Sequence, residues 1–208
     1  MEIDSRLAWA AATAAYRILN YTYKPNRVSD NSNAALMLKL LVSKEQQEKI
    51  TPEDFEKGDE YREYCQKVFT FDVLSGLVKE GDFFYNLLSI ANANVISSKF
   101  EINTLACAPN VVEREKKTRE VKQKISFSSG EPLGNTGEVV TATVQILSSK
   151  FVNRYNCFAI NAITDDNKAL FFFTGKSYFE IGKHFTIQGK VKTHKDNQTQ
   201  LNYVKELV

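Results

Sequence analysis

The hydrophobic residues of this chain change their spacing once, and that change restricts the fold more than any other feature. From Ser5 to Ile125 apolar residues recur at three- and four-residue intervals, which is the spacing of one face of an α-helix. From Val140 onwards they alternate with polar residues, as on a strand with one buried face. The stretch between, over residues 126–134, is rich in Ser, Gly and Pro. The sequence therefore predicts an α+β fold, with a helical domain over 1–125, a linker over 126–134 and a β domain over 135–208.

Two helices of the first domain have clear local signals. Thr51–Asp54 combines a threonine cap, a proline at the first helical position and acidic residues near the positive helix end. The charged stretch Asn110–Ile125 predicts another helix, which is either a solvated surface with i,i+4 ion pairs or a helix that meets a partner. A loop is expected over residues 21–33, because Pro, Asn, Ser and Asp are concentrated there.

The first helix has an alanine-rich stripe. Leu7, Ala11 and Ala15 lie on one side of it, with Trp9 and Tyr16 flanking them. Small residues at this spacing allow another helix to approach closely. The stripe is interpreted as a seam within the domain, and the alternative is an interface in a homo-oligomer.

The β domain is expected to contain five strands. They are predicted over Val140–Ile146, Tyr155–Ile163, Lys168–Thr174, Phe185–Thr193 and Thr199–Lys205. Five strands in about 70 residues match the size of an oligonucleotide-binding (OB) barrel. In the fourth strand Phe185, Ile187 and Val191 are expected in the core, whereas Lys190 and Lys192 fall on the outer side.

Charge is distributed unevenly between the two regions. The formal net charge is only +2, and residues 1–125 contain equal numbers of basic and acidic residues. Residues 126–208 contain nine Lys or Arg and seven Asp or Glu, and four of the nine lie between Lys183 and Lys195. If any part of the chain meets phosphates, the C-terminal region is favoured.

Neither a catalytic centre nor a cofactor or metal site is expected. The three cysteines Cys65, Cys107 and Cys157 are widely spaced, which indicates a reducing compartment rather than a disulfide framework. His184 and His194 lack partners at metal-ligand spacing. The apolar run near the N-terminus is too short to span a bilayer and has the wrong flanking charges for secretion. A cytoplasmic protein without membrane contact is expected, in the host cytoplasm if the protein is viral.

The last third of the chain resembles a known group of proteins. A Gly-Lys pair, a strand reading Gly-x-Val-Lys-x-His, a polar tip and a Thr-x-Leu element are similar to the final strands of OB-fold segments in bacteriophage and mobile-element replication proteins. The matching residues are Gly182, Lys183, Gly189, Val191, Lys192, His194, Thr199 and Leu201. The resemblance covers about residues 135–208 and implies an OB fold in a single-stranded DNA-binding or replication accessory protein. Relatives tend to have Arg-Val after the Thr-x-Leu element, where this chain has Asn202-Tyr203-Val204.

The β domain is rich in aromatic residues, with ten between Phe151 and Tyr203. Bases stack on exposed rings while cations follow the phosphates, so rings beside lysines suit single-strand binding. The expected stacking residues are Tyr155, Phe172 and Tyr178. The expected phosphate contacts are Lys150, Arg154, Lys183, Lys190, Lys192 and Lys195. The alternative is that outward rings dock on the helical domain or on a second subunit.

Three functions are compatible with these observations. The favoured one is a non-enzymatic protein that binds single-stranded nucleic acid, DNA in preference to RNA, through the barrel. Its helical domain would then mediate oligomerisation or recruit a partner such as a replisome protein. The second is a structural or adaptor protein that uses the barrel as a protein-interaction module. The third is a subunit of a nucleic-acid enzyme whose catalytic chain is separate.

Overall fold

A computed structural model describes residues 2–25 and 31–207 and divides the chain into two compact units, Met1–Lys116 and Lys117–Val208. The first unit is helical and the second contains a β-barrel. The predicted α+β class, with helices followed by a five-stranded barrel, is confirmed. Of the loop expected over 21–33, residues 26–30 lie outside the described residues.

Eight α-helices are described, most of them in the first unit. They are α1 Ser5–Ile18, α2 Asn33–Val42, α3 Lys44–Gln47, α4 Pro52–Tyr64, α5 Thr70–Leu74, α6 Phe83–Asn92, α7 Lys99–Leu105 and α8 Ala108–Ser126. A π-helical segment, Cys65–Phe69, joins α4 to α5. The division between the units falls inside α8. Two short antiparallel strands, β1 Ile3–Asp4 and β2 Val95–Ile96, also belong to the first unit.

The predicted start of α4 is confirmed in detail. Thr51 is the N-cap and Pro52 occupies the first turn. The Thr51 side chain accepts a hydrogen bond from the Asp54 N–H, and the Asp54 carboxylate accepts one from the Thr51 N–H at 2.9 Å. This reciprocal capping satisfies two backbone donors that the helix itself leaves without partners.

The core of the helical unit is built around α1. Trp9 and the alanines from Ala8 to Ala15 are fully buried, so the central turns of this helix are enclosed on every side. Ala11 and Ala15 belong to this core, so the alanine stripe packs within the unit. α4 approaches α1 closely, because an ideal Cβ on Gly58 would lie 3.0 Å from the carbonyl carbon of Trp9 and from the backbone nitrogen of Ala10.

Replacing Gly58 by alanine is expected to destabilise the helical unit. Alanine favours a helix interior over glycine by about 0.8–1.0 kcal/mol, but overpacking a tight contact costs about 1–3 kcal/mol. The atoms in the way belong to the α1 backbone and cannot rotate aside, so overpacking should prevail by about 1 kcal/mol. Urea unfolding followed by Trp9 fluorescence measures the change. Gly175→Ala, at a position where an added Cβ meets open space, is the control. A variant at least as stable as the wild type would contradict the prediction.

The second unit is a closed barrel of five strands. They are β3 Val139–Val152, β4 Cys157–Thr164, β5 Ala169–Thr174, β6 His184–Lys195 and β7 Gln198–Glu206. Their order around the barrel is β3-β4-β5-β7-β6, with only the β5–β7 pair parallel. The last two strands pair antiparallel. This arrangement is compatible with an OB-like fold.

The barrel interior is filled by alternate residues of all five strands. Ile187 and Val191 are buried there as predicted, and the half-buried Phe185 packs against the same core, with its ring next to Phe179. The Ser/Gly/Pro stretch over 126–134 is attached to the barrel by hydrogen bonds. The Ser129 N–H donates to the Asn167 carbonyl at 2.8 Å, and the Leu133 N–H donates to the Thr199 hydroxyl at 3.0 Å. Within residues 2–25 and 31–207, none of the helices has the length and apolar character needed to cross a bilayer.

Candidate nucleic-acid interface

The three consecutive phenylalanines of β5 divide between the inside and the outside of the barrel. Phe172 is fully buried, at 0% exposure, and lies in the core against Phe179. Phe171 and Phe173 point outward, and Phe173 is 44% exposed. The prediction that Phe172 stacks on a base is therefore wrong, because neither face of its ring reaches solvent. The outer rings on this strand are its two neighbours.

Strand pairing places polar groups and a cation beside these two rings. Lys150, Ala159 and Phe173 form one row across β3, β4 and β5. The next row contains Ser148, Asn161 and Phe171, and the parallel strand β7 adds Gln200. Paired residues project from the same side of a sheet, so both rows lie on the barrel's outer surface.

The two rings contact each other and border a hydrogen-bonded ladder. Their centroids are 4.9 Å apart in an edge-to-face arrangement. The Asn161 amide donates to the Ser148 hydroxyl at 2.8 Å, and its oxygen accepts from the Gln198 amide at 3.1 Å. These bonds hold the side chains of β3, β4 and β7 in place around the rings. The surface thus consists of two phenyl rings in edge-to-face contact, with hydrogen-bonded polar side chains beside them.

Two loops extend this surface at the end where β5 finishes. The pairing of Phe158 with Thr174 brings the β3–β4 turn next to the chain that leaves β5. In the turn, the Arg154 guanidinium lies 5.5 Å from the Tyr155 ring centroid, and Tyr155 is 64% exposed. In the following loop, the Lys176 ammonium lies 5.4 Å from the centroid of the partly exposed Tyr178 ring.

We call this whole surface the aromatic face. It consists of Lys150, Arg154, Tyr155, Phe171, Phe173, Lys176 and Tyr178. Among the residues that the structure describes, its three cations form no ion pair with a carboxylate. Their charge is therefore available to an anionic ligand, and the surface combines exposed rings with unneutralised cations.

The structure does not bring all the predicted site residues together. Lys150, Arg154, Tyr155 and Tyr178 are on the aromatic face. Lys183 is paired with Glu180 at 3.5 Å, and Lys195 is paired with Asp196 at 3.8 Å.

Lys190 and Lys192 lie on a different side of the barrel. Lys190 pairs with Val139 of β3 and with Asn202 of β7, whereas the aromatic face is carried mainly by β4 and β5. The cations predicted to contact phosphates thus lie on two surfaces, with Lys150 and Arg154 on the aromatic face and Lys190 and Lys192 together on β6.

Phe171, Phe173 and Lys176 belong to the aromatic face but were not among the site residues predicted from the sequence. Alternation shows that Phe172 faces away from both neighbours, but it does not show which side is the core. The pairing of Phe172 with the buried Ile160 and Leu201 settles it. No strand alternation indicated where the Lys176 side chain would lie, since Lys176 follows β5 in an irregular loop.

The cysteines of the helical unit are not activated as nucleophiles. Burial raises the pKa of the Cys65 thiol to about 12. Burial also raises the pKa of Cys107, although a hydrogen bond with the Tyr23 hydroxyl at 3.0 Å acts in the opposite direction. Both thiols are therefore protonated at neutral pH, the form that does not attack electrophiles. Across the described ranges, no three His, Cys, Asp or Glu side chains are grouped so that they could hold a metal ion.

Comparisons of the chain with protein families, with characterised proteins and with solved structures found no match. The interpretation of the aromatic face therefore depends on its own geometry and charge.

Proposed function

We propose that this protein is a non-enzymatic single-stranded nucleic-acid-binding protein, and that the aromatic face is its binding site. DNA is favoured over RNA, and the proposed role is that of a phage-type replication or recombination accessory factor in the cytoplasm. The observation that carries the proposal is the pair of outward rings, Phe171 and Phe173, bordered by cations that form no ion pair with any carboxylate in the described ranges 2–25 and 31–207.

The chemistry of the face suits an unpaired strand better than a duplex. Bases are exposed only in single strands, and each base that stacks on an aromatic ring contributes about 1–3 kcal/mol. Phe171, Phe173, Tyr155 and Tyr178 offer rings, while Lys150, Arg154 and Lys176 lie close enough in the fold to contact the phosphates between bases. The outer face of the second and third barrel strands, with the adjoining loop, is also where OB folds commonly hold oligonucleotides.

The resemblance of the last third of the chain to phage and mobile-element replication proteins supports the same proposal. Under it, the helical unit would oligomerise or recruit a partner such as a replisome protein. An adaptor that binds protein through the same rings is the competing function, since exposed rings also suit protein interfaces.

A titration of the full chain with a fluorescently labelled oligothymidine of about six nucleotides at two salt concentrations tests the proposal. If three cations contact phosphates, the logarithm of the association constant should fall with the logarithm of salt concentration with a slope of about −2. A labelled duplex of the same length serves as the comparison and should bind more weakly. Absence of binding at low salt would refute the proposed function and leave the adaptor hypothesis.

A further inference from the structure

The outer side of β6 and β7 carries a second group of cations, separate from the aromatic face. Lys190 and Lys192 lie on β6, and Lys205 lies on β7 beside Gln188. Tyr203 stands between them on β7 and is 85% exposed. We call these four residues the basic face.

Tyr203 has a backbone conformation that its residue type disfavours. Its φ is +56°, in the left-handed region, where non-glycine residues are uncommon. The register of the two strands explains this conformation. Asn202 pairs with Lys190 and Lys205 pairs with Gln188, so between these pairs two residues of β7 lie opposite one residue of β6. β7 therefore has an extra residue, a β-bulge, and glycine is the residue that such a left-handed bulge position favours. Backbone strain of this kind is typical of functional positions. The Tyr203 ring is largely exposed and makes few packing contacts that would offset the strain.

The surroundings of Tyr203 offer donors and positive charge. Within residues 2–25 and 31–207, none of the three lysines of the basic face forms an ion pair. Thr141 and Gln188 lie in the same row as Lys205 and are joined by a 3.3 Å hydrogen bond. The carboxylate of Glu138, just before β3, accepts hydrogen bonds from the backbone N–H and the side-chain amide of Asn135.

We propose that the basic face is a second contact surface for the same nucleic-acid strand, which it binds through phosphates and one stacked base. This inference rests on the proposed function of the aromatic face. Three cations, hydroxyl and amide groups and a single ring match a phosphodiester backbone, which presents repeated negative charge and few apolar groups. A strand longer than the aromatic face can hold would reach β6 and β7 and gain affinity there.

A length series of oligothymidines tests the second surface in the full-length protein. Short oligonucleotides of about six nucleotides should fill only the aromatic face, and long ones of about 20 should reach both surfaces, since OB folds occlude about 4–16 nucleotides. The wild type should bind the long strand more tightly and with a steeper salt dependence. Lys190→Gln with Lys192→Gln, and separately Tyr203→Gly, should each lower affinity for the long strand by about tenfold, while short-strand affinity stays unchanged.

Tyr203→Gly also has a stability readout that separates function from folding. Glycine relieves the strain, so the melting temperature should rise by a few degrees although binding weakens. Tyr21→Gly is the matched control, because Tyr21 is also exposed and has a φ of +55° but lies in the helical unit. It should leave the length dependence of binding unchanged.

The possible results separate this inference from the function on which it rests. Wild-type affinity of both variants for the long strand would overturn the second surface but keep the aromatic face. If the variants of the basic face lost the same affinity for short and for long strands, the basic face would be the main binding site, and its proposed secondary role would be wrong. A wild type that binds neither strand would refute both proposals.

Discussion

Replacing Arg17 by methionine is expected to lower the free energy of unfolding of the helical unit by about 1.5–3 kcal/mol, the cost of removing a hydrogen-bonded partner from a buried carboxylate. Arg17 and Asp54 form a bidentate ion pair, in which Nε donates to Oδ1 at 2.9 Å and Nη2 donates to Oδ2 at 2.7 Å. The Asp54 side chain is only 3% exposed, but that of Arg17 is 36% exposed, so water replaces the guanidinium only in part. Arg17 also donates to the Lys49 carbonyl at 2.9 Å, which ties α1 to the chain before α4.

Urea unfolding followed by fluorescence measures this change, because Trp9 is the single tryptophan of the chain and is buried in the same unit. Arg6→Met is the matched control. Arg6 pairs with Asp59 at 2.9 Å, but both side chains are largely exposed, and such pairs contribute about 1 kcal/mol or less. If both substitutions lowered the free energy of unfolding equally, the Arg17–Asp54 pair would contribute no more than an exposed ion pair does.

The same pair makes the helical unit sensitive to acid. Burial alone would raise the pKa of Asp54, but the Arg17 guanidinium and the hydrogen bonds from Thr51 outweigh it and hold that pKa below its ordinary value. A carboxyl whose pKa is lower in the folded state stabilises the fold above the pKa of the unfolded chain, about 3.9. That contribution is lost as the pH falls through the folded-state pKa. The wild type should therefore lose more stability than Arg17→Met does between pH 6 and acidic pH, and a parallel loss in both would contradict this assignment.

The sequence predicted the barrel because the residues of its last hairpin are mostly structural. Gly189 lets β6 approach β7, since a Cβ there would lie 3.0 Å from the Val204 Cγ2 atom. His194 Nδ1 lies 3.1 Å from the Thr199 hydroxyl and links the two strands beside the tip. Val191 and Leu201 are buried opposite each other. The hairpin pattern that predicted an OB-like barrel is therefore largely a pattern of packing, which explains why it indicated the fold more clearly than a candidate binding surface.

The site could not be predicted as fully, because alternation distinguishes inside from outside but not one outer surface from another. The barrel order places β5 beside β7, a parallel pairing between strands distant in sequence. That pairing brings Gln200 beside Phe171 and leaves Lys190 on another side. The left-handed backbone of Tyr203 had no local signal either, since neither Asn202 nor Val204 is a glycine that would indicate a bulge.

Replacing Phe171 and Phe173 together by alanine is expected to weaken binding of a labelled oligothymidine by about 2–6 kcal/mol, or at least about 30-fold, because each stacked base contributes about 1–3 kcal/mol. Both rings point away from the barrel core, so their removal leaves the packing around Phe172 intact. The lysines and arginine of the aromatic face remain in the variant. Affinity should therefore fall while the slope of its salt dependence stays close to that of the wild type.

Phe71→Ala provides the matched control, since Phe71 is 67% exposed but lies in the helical unit. It removes an exposed phenyl ring without touching the aromatic face and should leave oligonucleotide affinity unchanged. Far-ultraviolet circular dichroism and a melting curve establish that both variants are folded. Wild-type affinity in a folded Phe171→Ala, Phe173→Ala variant would mean that bases do not stack on these rings. A large loss in Phe71→Ala would instead assign base stacking to the helical unit. Weakened affinity with a flattened salt slope would indicate that the rings position the cations, because removing a stacking surface alone releases no counterions.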